Sequence, residues 1–257
     1  TANTGVGKSH YLVSMGAEAL RRGKNVVHYT FELTEHAVGI RYDSNLCDIE
    51  SSEVLENKEK VLEHYKENDY GRLIIKQYPT GSASIVTLRN HLEKLSMKDF
   101  LPSLIIIDYA DIMRSTRQYD SLRHELKLIY EELRNLAMDM NITIWTASQA
   151  NRDSAKSDIV GLENMSEAYG KAMVADVVVS LSRKPTEKAT GAGRLFVAKN
   201  RAGKDGLVFP LHIDTSKSTF EILDEKSLTL DEAVKQTNSE MKDLLRQKWK
   251  EVNGNED

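Results

Sequence analysis

Short apolar runs, three to six residues long, recur along the first 180 residues of the chain. They are rich in Val, Ile and aromatic residues and show little polar alternation, which is typical of strands buried on both faces. The predicted strands are Val26–Phe31, Leu73–Ile75, Leu104–Ile107, Ile142–Trp145 and Val177–Val179.

Between these runs, apolar residues return at helical spacing with polar residues on the opposite side. The spacing predicts helices over residues 10–22, 51–66, 85–98 and 122–140. Strands that alternate with helices in this way form a mostly parallel sheet covered by helices on both faces. We therefore predict an α/β fold.

The C-terminal third differs from this pattern. Leu195–Lys199 and Leu207–His212 flank a turn rich in Gly and Lys and predict a hairpin. Thr229 and Glu232 fit a capping box, followed by an extra helix with apolar residues on one side. That helix has two candidate partners, its own domain or a neighbouring subunit. We divide the chain into a catalytic domain over residues 1–224 and a helical appendage with a tail over residues 225–257.

The N-terminal segment fits a phosphate-binding loop that opens the first helix. Two glycines let the backbone curl, so that successive N–H groups point at one anion. The lysine can reach the outer phosphates, the serine can ligate Mg²⁺, and the helix dipole favours the same anion. The alternative is a chance Gly-rich turn, and the first residue of the pattern is Ala rather than Gly. The nucleotide-binding candidates are Ala2, Asn3, Thr4, Gly5, Val6, Gly7, Lys8 and Ser9. Because such a loop normally follows a buried strand, we expect that strand upstream of Thr1, in a longer protein.

Polar residues that follow three predicted strands are candidates for the chemistry. Asp108 directly follows Leu104–Ile107 and can hold Mg²⁺ together with the loop serine. Glu32 can polarise a water for attack on a γ-phosphate, or it can be a helix cap or surface acid. Gln149 can sense the γ-phosphate through its amide, or it can be a polar strand end.

Charge and cysteine content exclude some classes of protein. The net charge of −4 over 257 residues argues against a wholly basic protein that coats nucleic acid. The single Cys47 cannot form an internal disulfide, which fits a reducing compartment. No apolar run is long enough to span a membrane. The segment from Arg183 to Lys204 holds seven basic residues and one acid. It fits nucleic-acid binding, an arginine finger for a neighbour's nucleotide, or a solvated face.

Six motifs in series resemble the RecA-like motor domain of DnaB-type replicative helicases, in particular the phage members. The resemblance covers residues 1–223, and the order and gaps of the motifs suit the family. The motifs are residues 2–9, Phe31–Leu33, Ile105–Tyr109, Ser148–Arg152, Ser166–Gly170 and Ala198–Gly203.

The resemblance implies ATP and Mg²⁺ as cofactors and assigns roles around them. Lys8 and Ser9 would hold the phosphates and Mg²⁺, and Asp108 would be the Walker B acid. Glu32 would be the catalytic base and Gln149 the sensor. Three basic residues complete the nucleotide site that the resemblance implies: Arg41 against the nucleotide, and Lys199 and Arg201 as fingers in the neighbouring subunit's site.

The resemblance also implies a cytoplasmic protein, in a bacterial or phage-infected cell, that works as a hexameric ring around single-stranded DNA. Residues 164–171 would form a pore loop that grips the strand through backbone amides and a few side chains. Ser166 stands where bacterial members often carry Arg. Primase and a helicase loader are further candidate partners. The DNA-binding candidates are Arg152, Ser166, Glu167, Gly170 and Lys171.

Two other functions are compatible with the same nucleotide motifs. A recombinase of the same superfamily would coat DNA as an open filament and promote strand exchange. A regulatory ATPase that resembles the circadian-clock type would switch protein partners and ignore DNA. The basic stretch and the segment Ser166–Gly170 favour the helicase over the regulatory ATPase.

Overall fold

The structure is a computed structural model that describes residues 1–3, 5–150, 161, 169–223 and 228–229. The helices and strands follow one another in the alternating order that the apolar pattern predicts. In chain order they are α1 Lys8–Arg21, β1 Val26–Thr30, α2 Glu35–Cys47, α3 Lys58–Glu67, β2 Leu73–Gln77, α4 Ile85–Ser96, β3 Leu104–Asp108, α5 Leu122–Met140, β4 Thr143–Thr146, α6 Tyr169–Val174, β5 Val177–Ser182, β6 Ala192–Asn200, β7 Leu207–Asp214, β8 Thr219–Ile222 and β9 Leu228–Thr229.

The strands form two sheets. The first is parallel, with the order β2-β1-β3-β4. The second is antiparallel, with the order β5-β6-β7-β8, and β9 also pairs with β7. The α/β fold and the predicted hairpin, β6–β7, are thus confirmed. A short 3₁₀ turn, Ala110–Ile112, follows β3 after a single intervening residue.

Helices cover both faces of the parallel sheet because successive residues of its central strands are buried on opposite sides. Ile105 and Ile107 of β3 pack with α4 and α5, whereas Leu104 and Ile106 pack with α1 and α2. Both β1 and β3 are buried along their whole length. No helix among the described residues is long and apolar enough to cross a bilayer.

Ala2 lies between the two sheets and connects them. Its backbone forms parallel bridges with Gln149 and Leu181. Next to it, an apolar groove of about 390 Å³ separates β4 from β5. The strand expected before Thr1 stays a prediction.

Some elements differ from the sequence prediction. The predicted helix over residues 51–66 begins only at Lys58, because the preceding residues form turns. The pattern missed the helices α2 and α6 and the strands β8 and β9. In α2, Ser44 and Asn45 are buried among the apolar residues and blur the helical stripe. The expected C-terminal helix lies outside the described residues, and Thr229 belongs to β9.

Candidate functional site

The loop before α1 has a conformation that requires glycine. Gly5 and Gly7 have φ values of 75° and 111°, which side chains other than glycine rarely adopt. Gly7 is also the N-cap of α1, so the loop N–H groups and the first turn of the helix face the same space. A Cβ atom on Gly7 would lie 3.3 Å from the ring of Phe220. The loop therefore combines a curled backbone with a helix N-terminus, which is an anion-binding arrangement. Thr4 lies outside the described residues.

Lys8 points back over this loop. Its Nζ donates to the carbonyl oxygens of Ala2 and Asn3, at 3.2 and 3.1 Å. Burial lowers the pKa of its ammonium, while the nearby Asp108 and Glu32 carboxylates act in the opposite direction. An ammonium held over the curled backbone lies where phosphate oxygens would bind.

Asp108 ends β3 beneath the loop, with 2% of its surface exposed. Burial raises the pKa of its carboxyl, and a hydrogen bond from the Ser9 hydroxyl opposes that shift. A hydroxyl and a carboxylate in contact are two hard oxygen donors, the ligand type that Mg²⁺ uses together with phosphates and water. No cluster of three or more His, Cys, Asp or Glu side chains suited to a metal occurs among the described residues. Mg²⁺ would therefore depend on these two residues and on a bound nucleotide.

Glu32 follows β1 and is exposed beside the same site. Its charge acts on Lys8 and Asp108. The alternative role of helix cap belongs to Thr34, whose Oγ1 accepts a hydrogen bond from the N–H of Ala37 at 3.1 Å. The Glu32 carboxylate therefore does not cap a helix, and it lies beside the phosphate loop and Asp108.

Tyr109 connects two of the predicted residues; it ends the motif Ile105–Tyr109, but the motif alone assigns it no role. Burial raises the pKa of its hydroxyl, as do the charge of Glu32 and a hydrogen bond to that carboxylate. Gln149 Nε2 also lies 3.3 Å from the Tyr109 hydroxyl. The hydroxyl therefore lies between the predicted base and the predicted sensor.

Arg41 approaches the site from α2. Its Nη1 is buried and has no hydrogen-bond partner among the described residues. Burial lowers the pKa of the guanidinium, and Asp108 acts in the opposite direction. A buried cationic donor without a partner is costly, so this side chain is suited to an anionic ligand.

Lys199 and Arg201 lie away from this loop, at the C-terminal end of α6. Lys199 Nζ donates to the carbonyl oxygens of Ala172, Met173 and Ala175, at 2.7, 3.1 and 2.8 Å. Arg201 Nη2 donates to the Met173 carbonyl at 2.6 Å, and its side chain remains 46% exposed. The structure therefore places the two predicted finger residues next to each other, but both donate to the C-terminal end of α6 in their own domain.

The rest of the basic stretch is not a simple solvated face. Arg194 forms a two-pronged ion pair with Glu187, at 2.6 and 3.2 Å, and both side chains are largely buried. Lys188 Nζ lies 3.8 Å from the position that a Cβ on Gly5 would take. One end of the stretch thus borders the phosphate loop of its own chain.

Of the predicted DNA contacts, the structure describes only Gly170 and Lys171. Arg152, Ser166 and Glu167 lie outside the described residues. Gly170 is half-buried in α6. The side chain of Lys171 is 2% exposed and forms an ion pair with Asp111 at 2.8 Å. Direct contact of the Lys171 ammonium with DNA does not fit this arrangement, because the ammonium lies inside the domain.

Comparison with known proteins agrees with these features. The family described as DnaB-like helicase C terminal domain matches residues 1–250. The DnaB-like replicative helicase of Enterobacteria phage T4 is 34% identical over 215 residues, which are 79% of this chain and 45% of that protein. The replicative DNA helicase DnaB of Helicobacter pylori strain 26695 is 24% identical over 193 residues, which are 71% of this chain and 38% of that protein. The chain thus spans about half or less of the length of these relatives.

Two solved structures share the fold at a TM-score of 0.74 each. One is a DnaB-like replicative helicase described with its interactions with primase, at 15% identity, with 87% of this chain and 57% of that chain covered. The other is an ATPase domain, at 16% identity, with 87% of this chain and 83% of that chain covered. The match to the family over nearly the whole chain and the identity to the phage T4 protein lead to one conclusion: the chain belongs to the DnaB-like helicase C-terminal domain family.

Proposed function

We propose that the chain is the ATP-hydrolysing motor of a replicative DNA helicase, which moves along single-stranded DNA and unwinds duplex. The observation that carries the proposal is the convergence of Lys8, Ser9, Asp108, Glu32 and Gln149 where the phosphate loop meets the carboxyl ends of parallel strands. In open α/β sheets, ligands bind at this position.

Each residue has a role that its position supports. The loop N–H groups and Lys8 hold the phosphates of ATP. Ser9 and Asp108 would hold Mg²⁺, which would supply charge neutralisation when it is bound. Glu32 orients and deprotonates the attacking water. Gln149 binds the γ-phosphate and reports its loss to the end of β4. Arg41 donates to the nucleotide and thereby gains a partner for its buried Nη1.

The site is completed by a second subunit. Lys199 and Arg201 would reach the γ-phosphate of ATP on the neighbouring subunit and stabilise the transition-state charge. Their long side chains and the exposure of Arg201 are compatible with such a movement, which would exchange the carbonyls of α6 for phosphate oxygens. A hexameric ring is the assembly that places each pair in a neighbour's site.

DNA would bind along residues 164–170, immediately before the buried Lys171. In a ring, six copies of this segment would surround one strand, and hydrolysis would shift each copy in turn. Primase and a loader would bind to the assembled ring. The family's relatives act in replication, and these partners follow from that setting.

The test is the rate of ATP hydrolysis with and without single-stranded DNA, with Lys8→Ala as the blank. We expect hydrolysis that the strand stimulates strongly and that the substitution abolishes. Hydrolysis indifferent to DNA would instead favour the regulatory ATPase. Stimulated hydrolysis with strand exchange but no unwinding would favour the recombinase. The absence of hydrolysis above the blank would contradict the proposal for this chain.

A further inference from the structure

A buried polar cluster lies behind the nucleotide site, around the carboxylate of Asp111. Lys171 Nζ lies 2.8 Å from Oδ2, the Tyr130 hydroxyl donates to Oδ1 at 2.7 Å, and the Ser148 hydroxyl donates to Oδ2 at 3.2 Å. Lys171 also lies 3.4 Å from the Ser148 hydroxyl and 5.6 Å from the centre of the Tyr130 ring. The Lys171 side chain is 2% exposed and that of Asp111 is 15% exposed.

Three members of the cluster come from elements with different tasks. Asp111 follows the Mg²⁺ candidate Asp108 by three residues, in the 3₁₀ turn after β3. Ser148 immediately precedes the predicted sensor Gln149. Lys171 is the last residue of the segment predicted to grip DNA. The cluster therefore joins the ends of two nucleotide-site strands to the helix that contains the last residues of the predicted DNA segment.

Helix α6 is fixed at its other end as well. Its last carbonyl oxygens accept hydrogen bonds from Lys199, and Arg134 Nη1 donates to the Val174 carbonyl at 2.6 Å. This six-residue helix is thus tied to its surroundings at Lys171 and at its C-terminal end, where the Arg134 contact remains even if Lys199 leaves. A shift at Asp111 or Ser148 would reach the helix through the Lys171 side chain.

We propose that Lys171 is a positioning residue, whose buried ion pair with Asp111 couples the nucleotide site to the DNA-gripping segment. This inference rests on the proposed function. The pair does not contact ATP or DNA. It transmits displacement between them, so that DNA binding on one side changes the rate of hydrolysis on the other, an allosteric coupling between two distinct sites.

The chemistry of a buried ion pair suits this task. Removal of one partner would leave the other charge uncompensated in the interior, so the two side chains must remain together whenever either backbone moves. The contact is contiguous, from the end of β3 through Asp111 and Lys171 into α6. Such a continuous contact is the kind of route through which coupling can travel.

The experiment compares the stimulation of ATP hydrolysis by single-stranded DNA in matched variants. The double variant Asp111→Asn/Lys171→Met removes both charges and so avoids an unpaired buried charge. Lys171→Arg keeps the charge and is the conservative variant. Tyr130→Phe removes one hydrogen bond to Asp111 but leaves the ion pair intact, and it serves as the control.

We expect the double variant to fold, to hydrolyse ATP without DNA as the wild type does, and to bind the strand with unchanged Kd. Its stimulation by DNA should fall by roughly 5–150-fold, the usual size of an allosteric coupling. The single variant Lys171→Arg should keep part of the wild-type stimulation, and Tyr130→Phe should keep most of it. A purely structural role would instead lower stability and leave the stimulation ratio of the folded fraction unchanged.

Two results would overturn the inference while leaving the proposed function in place. One is a folded double variant with wild-type stimulation. The other is a double variant whose Kd for the strand rises in parallel with the loss of stimulation, since Lys171 would then be a DNA contact. An unstimulated wild type, by contrast, would overturn the proposed function and this inference together.

Discussion

Acid should destabilise this domain through His28, which is completely buried in the middle of β1. Its Nδ1 lies 3.0 Å from the Tyr42 hydroxyl, and its Nε2 has no hydrogen-bond partner among the described residues. Burial lowers the pKa of the imidazole from 6.5 to about 3, and the charge of Arg41 acts in the same direction. The folded domain therefore holds this residue neutral, whereas the unfolded chain protonates it below pH 6.5.

The size of the effect follows from linkage. Because the folded pKa is the lower one, stability is fully present above pH 6.5 and is lost as the pH falls towards 3. For one such histidine, the free energy of unfolding should fall by about 2 kcal/mol between roughly pH 7 and pH 5. With a urea m-value of about 2 kcal/mol/M, the unfolding midpoint should move by about 1 M.

The assay is urea unfolding at about pH 7, 6 and 5, for the wild type and for His28→Gln. The glutamine keeps a polar partner for Tyr42 and does not titrate. Other groups contribute to the pH dependence of both proteins, so the difference between the two slopes isolates His28. Equal slopes would refute the reasoning, because they would mean that the imidazole is protonated in the fold or is not desolvated.

Three substitutions test the nucleotide site. Arg201→Ala should lower the rate of hydrolysis by about 10³–10⁵-fold and spare ATP binding, as measured by phosphate release and by titration with a fluorescent analogue. The control Arg134→Ala, which also removes a hydrogen bond to α6, should change the rate far less. Substantial hydrolysis by Arg201→Ala would eliminate the finger assignment. Glu32→Gln should slow hydrolysis by about 10²–10⁴-fold with binding intact, and the nearby Glu35→Gln should not; equal rates for the two would remove Glu32 as the base. Gly7→Ala should cost about 1–2 kcal/mol of stability because of its positive φ and should also weaken ATP binding in the same titration, and unchanged affinity would show that the loop does not hold the phosphates.

The parts of this fold that follow from the sequence are those that a local pattern determines. The apolar run before Asp108 identifies a fully buried strand, and the glycines of the phosphate loop identify the turn before α1. Both are confirmed because a buried strand or a left-handed turn restricts composition over a few adjacent residues. By contrast, α2 escaped the pattern because Ser44 and Asn45 are buried there through hydrogen bonds to distant residues of the β7–β8 turn.

Residues that support the site without touching the ligand could not be predicted either, because their contacts are with residues distant in the sequence. Tyr109 follows Asp108 in the chain, but only the fold brings its hydroxyl between the ends of β1 and β4. The DNA contact predicted for Lys171 is disfavoured for a related reason, since its neighbours in sequence belong to a DNA motif while its neighbour in space is Asp111, 60 residues earlier. A lysine can be 2% exposed only where a partner compensates its charge. Motif spacing reports which backbone segment approaches a ligand, and burial with a partner decides which side chains of that segment can touch it.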